Sequence, residues 1–489
     1  MMYYNRAVRM PKPSRMRVSL SAFSGIDADK CVRTLPCDWT DTCYNFGFRN
    51  GKLVAGTGIA PLQPVDPVTR QPYPIPTMPP TKATRNLFVA RNANASSGYT
   101  TLVVSDKNGL EILPATKGAN WQHVSCPHPV KQAISYLHED KDLLLMSGDF
   151  DGILIWDGDK VTEVASALRV LSLCVHEERV FAVVQDKRNE VWFSSAFDPY
   201  NWNVSAQEGG YIAFDGTLGS VRVVKSLGEY LYIFCDYGIY RLSVYADQSQ
   251  FVLKKVYHSC DRIYAASIVD CKDTVAFASA QGVHLFDGYR VSRLAVRLGD
   301  IMPPASEDIS GVYADECYYL SIADNRVGYP YVSLDGAQGK YALLTVDLRT
   351  KQMSLARAGR LRSLQPMVTP LQSCAVGLSD DTESVVTLDQ SGNCLGRPPA
   401  RLWRVNNIDF GKNMQEKVIR NIEYSTTATY VFGVVADGVV REFVLPPNRH
   451  QVQIQIKARV FDFYIRSDAS DVEIDAPVLT VDVLERAYG

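Results

Sequence analysis

The chain repeats itself. The run GILIWDG at 152–158 returns as GVHLFDG at 282–288. Around both copies lie short β-rich runs that open alike: DLLLMS from Asp142, RVFAVV from Arg179, EYLYIF from Glu229, DTVAFA from Asp273 and ECYYLS from Glu316. Their starts are 37, 50, 44 and 43 residues apart, and each is followed by a polar turn and a second β run. A period of this length holds about four short strands. One such sheet cannot bury both its faces, but stacked sheets bury each other's. The pattern therefore predicts an all-β chain built around a β-propeller of six or seven blades. Trp156 and Phe286 are then matching aromatics packed between blades. Asp157-Gly158 and Asp287-Gly288 are hairpin turns, since Asp-Gly accepts positive φ at low cost. The repeated motif reads as architecture rather than as a ligand site used twice.

The flanks differ. Residues 61–80 read PLQPVDPVTRQPYPIPTMPP, and proline this dense favours a stiff, extended chain without ladder hydrogen bonds. We expect an extended N-terminal arm and spacer over 1–80, lying across something such as a neighbouring subunit. Its deletion should leave a folded propeller over 81–400. After Trp403 the runs RNIEYS, TYVFGVVA, VVREFVL, VQIQIKA, FDFYIRS and LTVDVLE follow. Val452, Ile454 and Ile456 alternate with polar residues, and Phe461, Phe463 and Ile465 repeat the alternation. That is a half-buried strand pattern, and it predicts a small C-terminal β-sandwich over 401–489.

At 489 residues with 46% hydrophobic and 21% charged content, the chain is long enough for two or three packed domains. A net charge of −2 gives no strong global attraction to nucleic acid or anionic membrane. The N-terminus lacks the apolar core of a secretory signal, and no run approaches the length of a membrane span. Eleven scattered cysteines fit a reducing compartment. The sequons at Asn94 and Asn203 then carry no meaning.

Chemical motifs are few. HExxH, GxSxG and GxxxxGK[ST] do not occur. Cys31, Cys37 and Cys43 are evenly spaced, but a zinc site would need a fourth ligand and a tighter pair. Cys126 and His128 flank a proline and read as a turn with a buried thiol rather than a dyad. Asp149, Asp151, Asp380 and Asp381 lie in turn-rich segments, where aspartate serves the backbone. A glycosidase would hold two carboxylates about 5–10 Å apart across a groove. The 26 tyrosines suit either a sugar- or protein-binding surface or ordinary strands. The Gly-His pair of WD40 repeats does not recur, and SGDFDGILIW at 147–156 matches a sialidase Asp box only loosely. No catalytic, cofactor-binding or metal residue is assigned, and no cofactor is expected.

The ends carry a resemblance. FSGIDADK at 23–30 and TLPCDWTDTCYNFGFRNGKLVAGTGI at 34–59 resemble the opening of many tailed-bacteriophage virion proteins. The matching residues are Phe23, Gly25, Leu35, Pro36, Asn45, Phe48, Arg49, Gly51 and Leu53. WFSSAFDPYNWN at 192–203 is similar to an Asp-Pro-x-x-Trp turn in phage propellers. The closing stretch FDFYIRSDASDVEIDAPVLTVDVLE is similar to the last segment of tail-hub, or packaged-DNA stabilisation, proteins of short-tailed phages. The resemblance implies a non-enzymatic virion protein of the neck or tail, assembled in the host cytoplasm. It implies a homo-oligomeric ring below the portal and adaptor, next to other tail proteins, that extends the DNA channel, with packaged DNA passing through it without sequence-specific binding. The alternatives are a carbohydrate-binding or glycan-degrading tail-tip propeller, and a WD40-like interaction scaffold.

Overall fold

The computed structural model describes residues 13–21, 23–26, 40, 42–66, 68–79, 85–91, 100–114, 116–205, 208–245, 247–294, 302, 309–323, 341–369, 371, 373–380, 382–389, 391–412 and 415–484. Nearly all regular structure among them is strand.

Five consecutive four-stranded antiparallel sheets occupy 86–124, 130–164, 170–213, 221–258 and 269–293. A sixth unit of four strands covers 310–358, and a seventh, 361–389, takes its fourth strand from Gly58–Pro61. The described residues thus contain seven units, with the first strands of most neighbours in contact and the seventh against the first. This closure joins an early segment to a late one, as a propeller requires.

Burial explains the repeat. The second strand of each unit is covered on both faces by neighbouring blades, so it reads as a continuous apolar run. Arg179–Val184 and Thr274–Ser279 are buried almost throughout. The outer strand Val252–His258 faces solvent and carries two lysines, which also protect a sheet edge. A register shift falls at the start of the first strand in three successive units, between Val130 and Gln132, Val170 and Ser172, and Val221 and Val223. It is a shared β-bulge that sequence alone does not display.

Both copies of the opening motif are turns. Asp157 accepts backbone N–H bonds from Asp159 and Lys160, and Asp287 accepts them from Tyr289 and Arg290. Gly158 and Gly288 have φ of 102° and 91°. Trp156 packs against the cluster it shares with the first unit, and Phe286 against Tyr232 and Phe234 of the fourth. Asp347 repeats the device by accepting from Arg349 and Thr350.

The second body is a sandwich. One sheet has the order Ser14–Ser19, Val478–Leu484, Glu416–Glu423, Gln451–Ala458. The facing strands Arg401–Ile408, Phe461–Ser467, Tyr430–Ala436 and Val439–Leu445 continue, through Thr42–Tyr44, into the sixth propeller unit as one nine-stranded sheet. Ile454, Ile456, Phe461, Phe463 and Ile465 are all buried in the shared core, as their alternation predicts.

The expected 1–80 arm is corrected here. Its described strands are integral: Ser14–Ser19 and Thr42–Tyr44 build the sandwich sheets, and Gly58–Pro61 closes the propeller. The hairpin Phe46–Arg49 and Lys52–Ala55 pairs with Glu473–Ile474. Strand pairing between distant segments left no local periodicity to read. The proline-rich stretch is likewise packed, with Trp121 donating to the Pro76 carbonyl at 3.0 Å and Met78 in a core cluster. Deleting 1–80 would remove parts of both bodies rather than free a propeller.

Candidate functional site

Of the residues singled out for chemistry, Cys43, Cys126, His128, Asp149 and Asp380 have partners within the fold. Cys31, Cys37, Leu35, Pro36, Asn94 and Asp381 lie outside the described residues. Cys43 is buried, its thiol donating to the Phe46 carbonyl at 3.4 Å, and burial pushes its pKa well up. The Cys126 thiol points at the His128 backbone carbonyl at 3.3 Å and is raised by burial, while the His128 ring stacks on Phe150. The pair is a turn. Asp149 binds Lys131 at 2.5 Å, and Asp380 binds Arg362 at 2.5 Å. Among the described residues no three His, Cys, Asp or Glu side chains are grouped to hold a metal.

Two Ser–His contacts were not singled out in the sequence, because their partners meet only across strands. Ser279 Oγ lies 3.0 Å from His284 Nε2, both buried, with His284 stacked on Phe277. Burial first, and Arg293 second, lower His284 to about 4. Its imidazole is neutral at pH 7. His176 meets Ser226 at 2.8 Å across the third and fourth units, and burial lowers it too, against the opposing charge of Glu177.

Similar polar ties run around the ring. Gln132 bonds both the N–H and C=O of Leu173, Ser310 accepts from Leu364 N–H, and Asn86 donates to the Val130 carbonyl. Lys225 meets Asp270 at 2.9 Å. Burial pulls the Lys225 ammonium down, but the Asp270 carboxylate outweighs it and the pKa ends raised. These bonds join one blade to the next, and each satisfies a polar group where two blades meet.

A polar cleft of about 560 Å³ lies where propeller meets sandwich. It opens because Asn45, at φ 58°, turns the chain away after Tyr44 pairs with Leu355. Asn45 is fixed there by Nδ2 donating to the Ala400 carbonyl at 2.7 Å. The hairpin that follows turns at Asn50-Gly51, both at positive φ, so the Arg-x-Gly-x-Leu element is a hairpin with a primed turn rather than one strand. Arg49 on that hairpin binds Glu473 at 2.6 Å. Opposite stand Asp347, Arg349, Tyr319 and Asn393. The Asn393 Oδ1 atom is buried with no hydrogen-bond partner among the described residues. Cys317, also on the wall, is pushed up to about 11, by burial above all. The cleft offers hydrogen-bond donors, acceptors and both signs of charge.

Asp-Pro-x-x-Trp forms a compact loop after the strand Glu190–Phe193. Asp198 accepts from Tyr200 N–H and Trp202 Nε1 donates to the Pro199 carbonyl, each at 2.9 Å.

Strand order and ring closure define the class: a β-propeller joined to a β-sandwich. No family model matches the sequence, and no curated protein matches it. Solved structures similar to it include the computationally designed Ika8 protein, at 11% identity over 73% of this chain and 98% of that one, with a TM-score of 0.42. BamB from Moraxella catarrhalis matches at 14% identity, over 78% and 97% of the two chains, with a TM-score of 0.40. The Neurospora crassa Pan2 WD40 domain matches at 9% identity, over 62% and 88%, with a TM-score of 0.38.

Proposed function

We propose that this chain is a non-enzymatic structural component of a tailed-phage virion. Its place is a neck or tail-hub ring that extends the DNA channel below the portal and adaptor and helps retain and eject the genome. One observation supports the reading. The two distant segments that carry the virion resemblance build a single body: Phe23 packs edge-on against Trp403 at 5.2 Å, and Lys52–Ala55 pairs with Glu473–Ile474. The terminal parts of the resemblance therefore meet in the fold, while the stretch at 192–203 lies on the third propeller unit. The near-neutral chain also suits a channel wall that must release DNA.

Immunogold labelling of purified virions with antibody to the recombinant protein tests this. Gold is expected at the junction of head and tail. Particles that carry no label, intact or disrupted, overturn the virion assignment.

The polar cleft favours a second reading, a tail-tip propeller that binds glycans. Its walls of Arg49, Asp347, Tyr319 and Asn393 suit a polyhydroxylated ligand. Gold at the distal tail, with binding on a glycan array lost in Asp347→Ala, would select this alternative over the ring.

A further inference from the structure

Two exposed surfaces of this chain are complementary. The first lies on the loop after Glu190–Phe193, where Phe197, Tyr200 and Val204 are exposed. Phe197 is 63% exposed and has φ 60°, a left-handed backbone that is unfavourable for a bulky residue. It is held there from two sides. Its N–H donates to the Glu178 carbonyl at 2.9 Å, and its own carbonyl accepts from His138 Nδ1 at 2.9 Å. The His138 ring meets Tyr200 edge-on at 5.6 Å. An exposed aromatic fixed in a strained backbone is a preorganised anchor.

The rim of this anchor is acidic. The two neighbouring hairpin turns are Glu139-Asp140 and Glu177-Glu178, all four exposed and all at positive φ. Such turns ordinarily take Asn-Gly. The negative rim disfavours nucleic acid and anionic lipid, and it suits an apolar protein surface ringed by cations.

The second surface has that character. The strand Val439–Leu445 pairs only with Tyr430–Ala436, so among the described residues it is one of the two edges of the nine-stranded sheet, the one on the sandwich side. Val439, Val440 and Val444 are exposed on it, Val444 by 66%. Long apolar edges of this kind are normally covered. Residues 437–459, this strand and the next, carry Arg441, Arg449, Lys457 and Arg459 against Asp437 and Glu442, with Lys457 paired to Glu416 of the adjacent strand, which leaves a net positive surface.

We propose that the aromatic anchor of one copy docks on the valine edge of a second copy. Ring order makes the contact heterologous. The sandwich hangs on the sixth propeller unit, and in a closed ring of seven the second and third units, which carry the anchor, lie opposite. Each copy presents its two surfaces in different directions, so the contact propagates head to tail rather than stopping at a dimer, as the ring reading requires. The inference names the self-interface of the ring reading above and rests on it.

Sedimentation velocity on the full chain, with Phe197→Asp and Val440→Asp as variants, tests the interface. The wild type associates with rising concentration and dissociates with salt. Each variant stays monomeric while keeping the wild-type circular dichroism and melting temperature. A mixture of the two variants forms a one-to-one heterodimer and goes no further, because one good anchor meets one good edge. Wild-type association by either variant overturns the interface, as does a wild type that stays monomeric throughout. The virion reading fails separately: unlabelled particles refute it whatever the sedimentation shows, and labelled particles that incorporate Phe197→Asp normally refute only the interface.

Discussion

In the unit spanning 170–213 each strand pairs with the next along the chain. In the sandwich the first described strand lies beside the last, and Arg15 binds Asp482 at 2.8 Å across 467 residues of sequence. Both regions face the same physical demand, since a sheet must cover its apolar face. The blades meet it by repetition and the sandwich by recruiting both ends of the chain. Local pairing pays little loop-closure entropy, whereas the sandwich must close nearly the whole chain before its core forms. The difference implies that the sandwich and the seventh unit lock a fold that the middle blades begin.

Removing the N-terminal segment breaks this comparison most severely. A chain lacking residues 1–61 loses one strand of the closing blade, two strands of the sandwich sheets and the cleft hairpin. Calorimetry is expected to show no cooperative transition. A wild-type transition in the truncated chain would mean that the blades stand without their closure.

A matched pair of tryptophans grades the two regions. Trp403 is fully buried between the sandwich sheets and the Phe23 ring, so Trp403→Ala should cost about 3–5 kcal/mol. Trp156 is only half-buried at a blade seam, and Trp156→Ala should cost roughly half as much. Urea unfolding measures both. Equal losses would show that a blade seam is as tightly locked as the sandwich.

Acid should separate the regions by pH. His284, held at about 4 when folded, ionises near 6.5 when unfolded. Between those values the unfolded chain binds more protons, so stability falls as pH drops from 6.5 toward 4, by roughly 3 kcal/mol at full titration. In the sandwich, Arg15 and Arg420 lower the Asp482 pKa. That contribution is intact above the ordinary carboxylate pKa and is lost only as pH falls below it. Thermal unfolding followed from pH 7 to 3 should therefore show a propeller-linked decline first, and His284→Gln should flatten it. A decline confined to pH below 4 in the wild type would contradict the buried neutral imidazole.

What the sequence displayed follows from the same contrast. The five repeated runs, Asp142 to Glu316, are second strands of blades, visible because burial on both faces makes each a continuous apolar block. The alternation at Ile454, Ile456, Phe461 and Phe463 was equally visible, since one face of each strand meets the core. Ser14–Ser19 and Gly58–Pro61 were not, because short strands whose partners lie hundreds of residues away have no period of their own. The cleft was hidden for the same reason: Arg49, Asp347 and Glu473 are brought together only by the fold. The Phe197 anchor left only its Asp-Pro context as a signal, and left-handed φ at a phenylalanine has no mark in sequence.

The smallest effect tests the repeat itself. Asp157 and Asp287 each accept two backbone N–H groups in turns of the same form. Both turns are solvent-accessible, so water replaces part of what alanine removes, and each substitution should cost only about 1 kcal/mol. The two losses should match within error and add in the double variant, because the turns belong to different blades and share no partner. Unequal losses would mean that one copy does more than turn the chain. A double variant costing much more than the sum would mean that the second and fifth units are coupled through the ring, which would bring the blades closer to the sandwich in how they distribute stability.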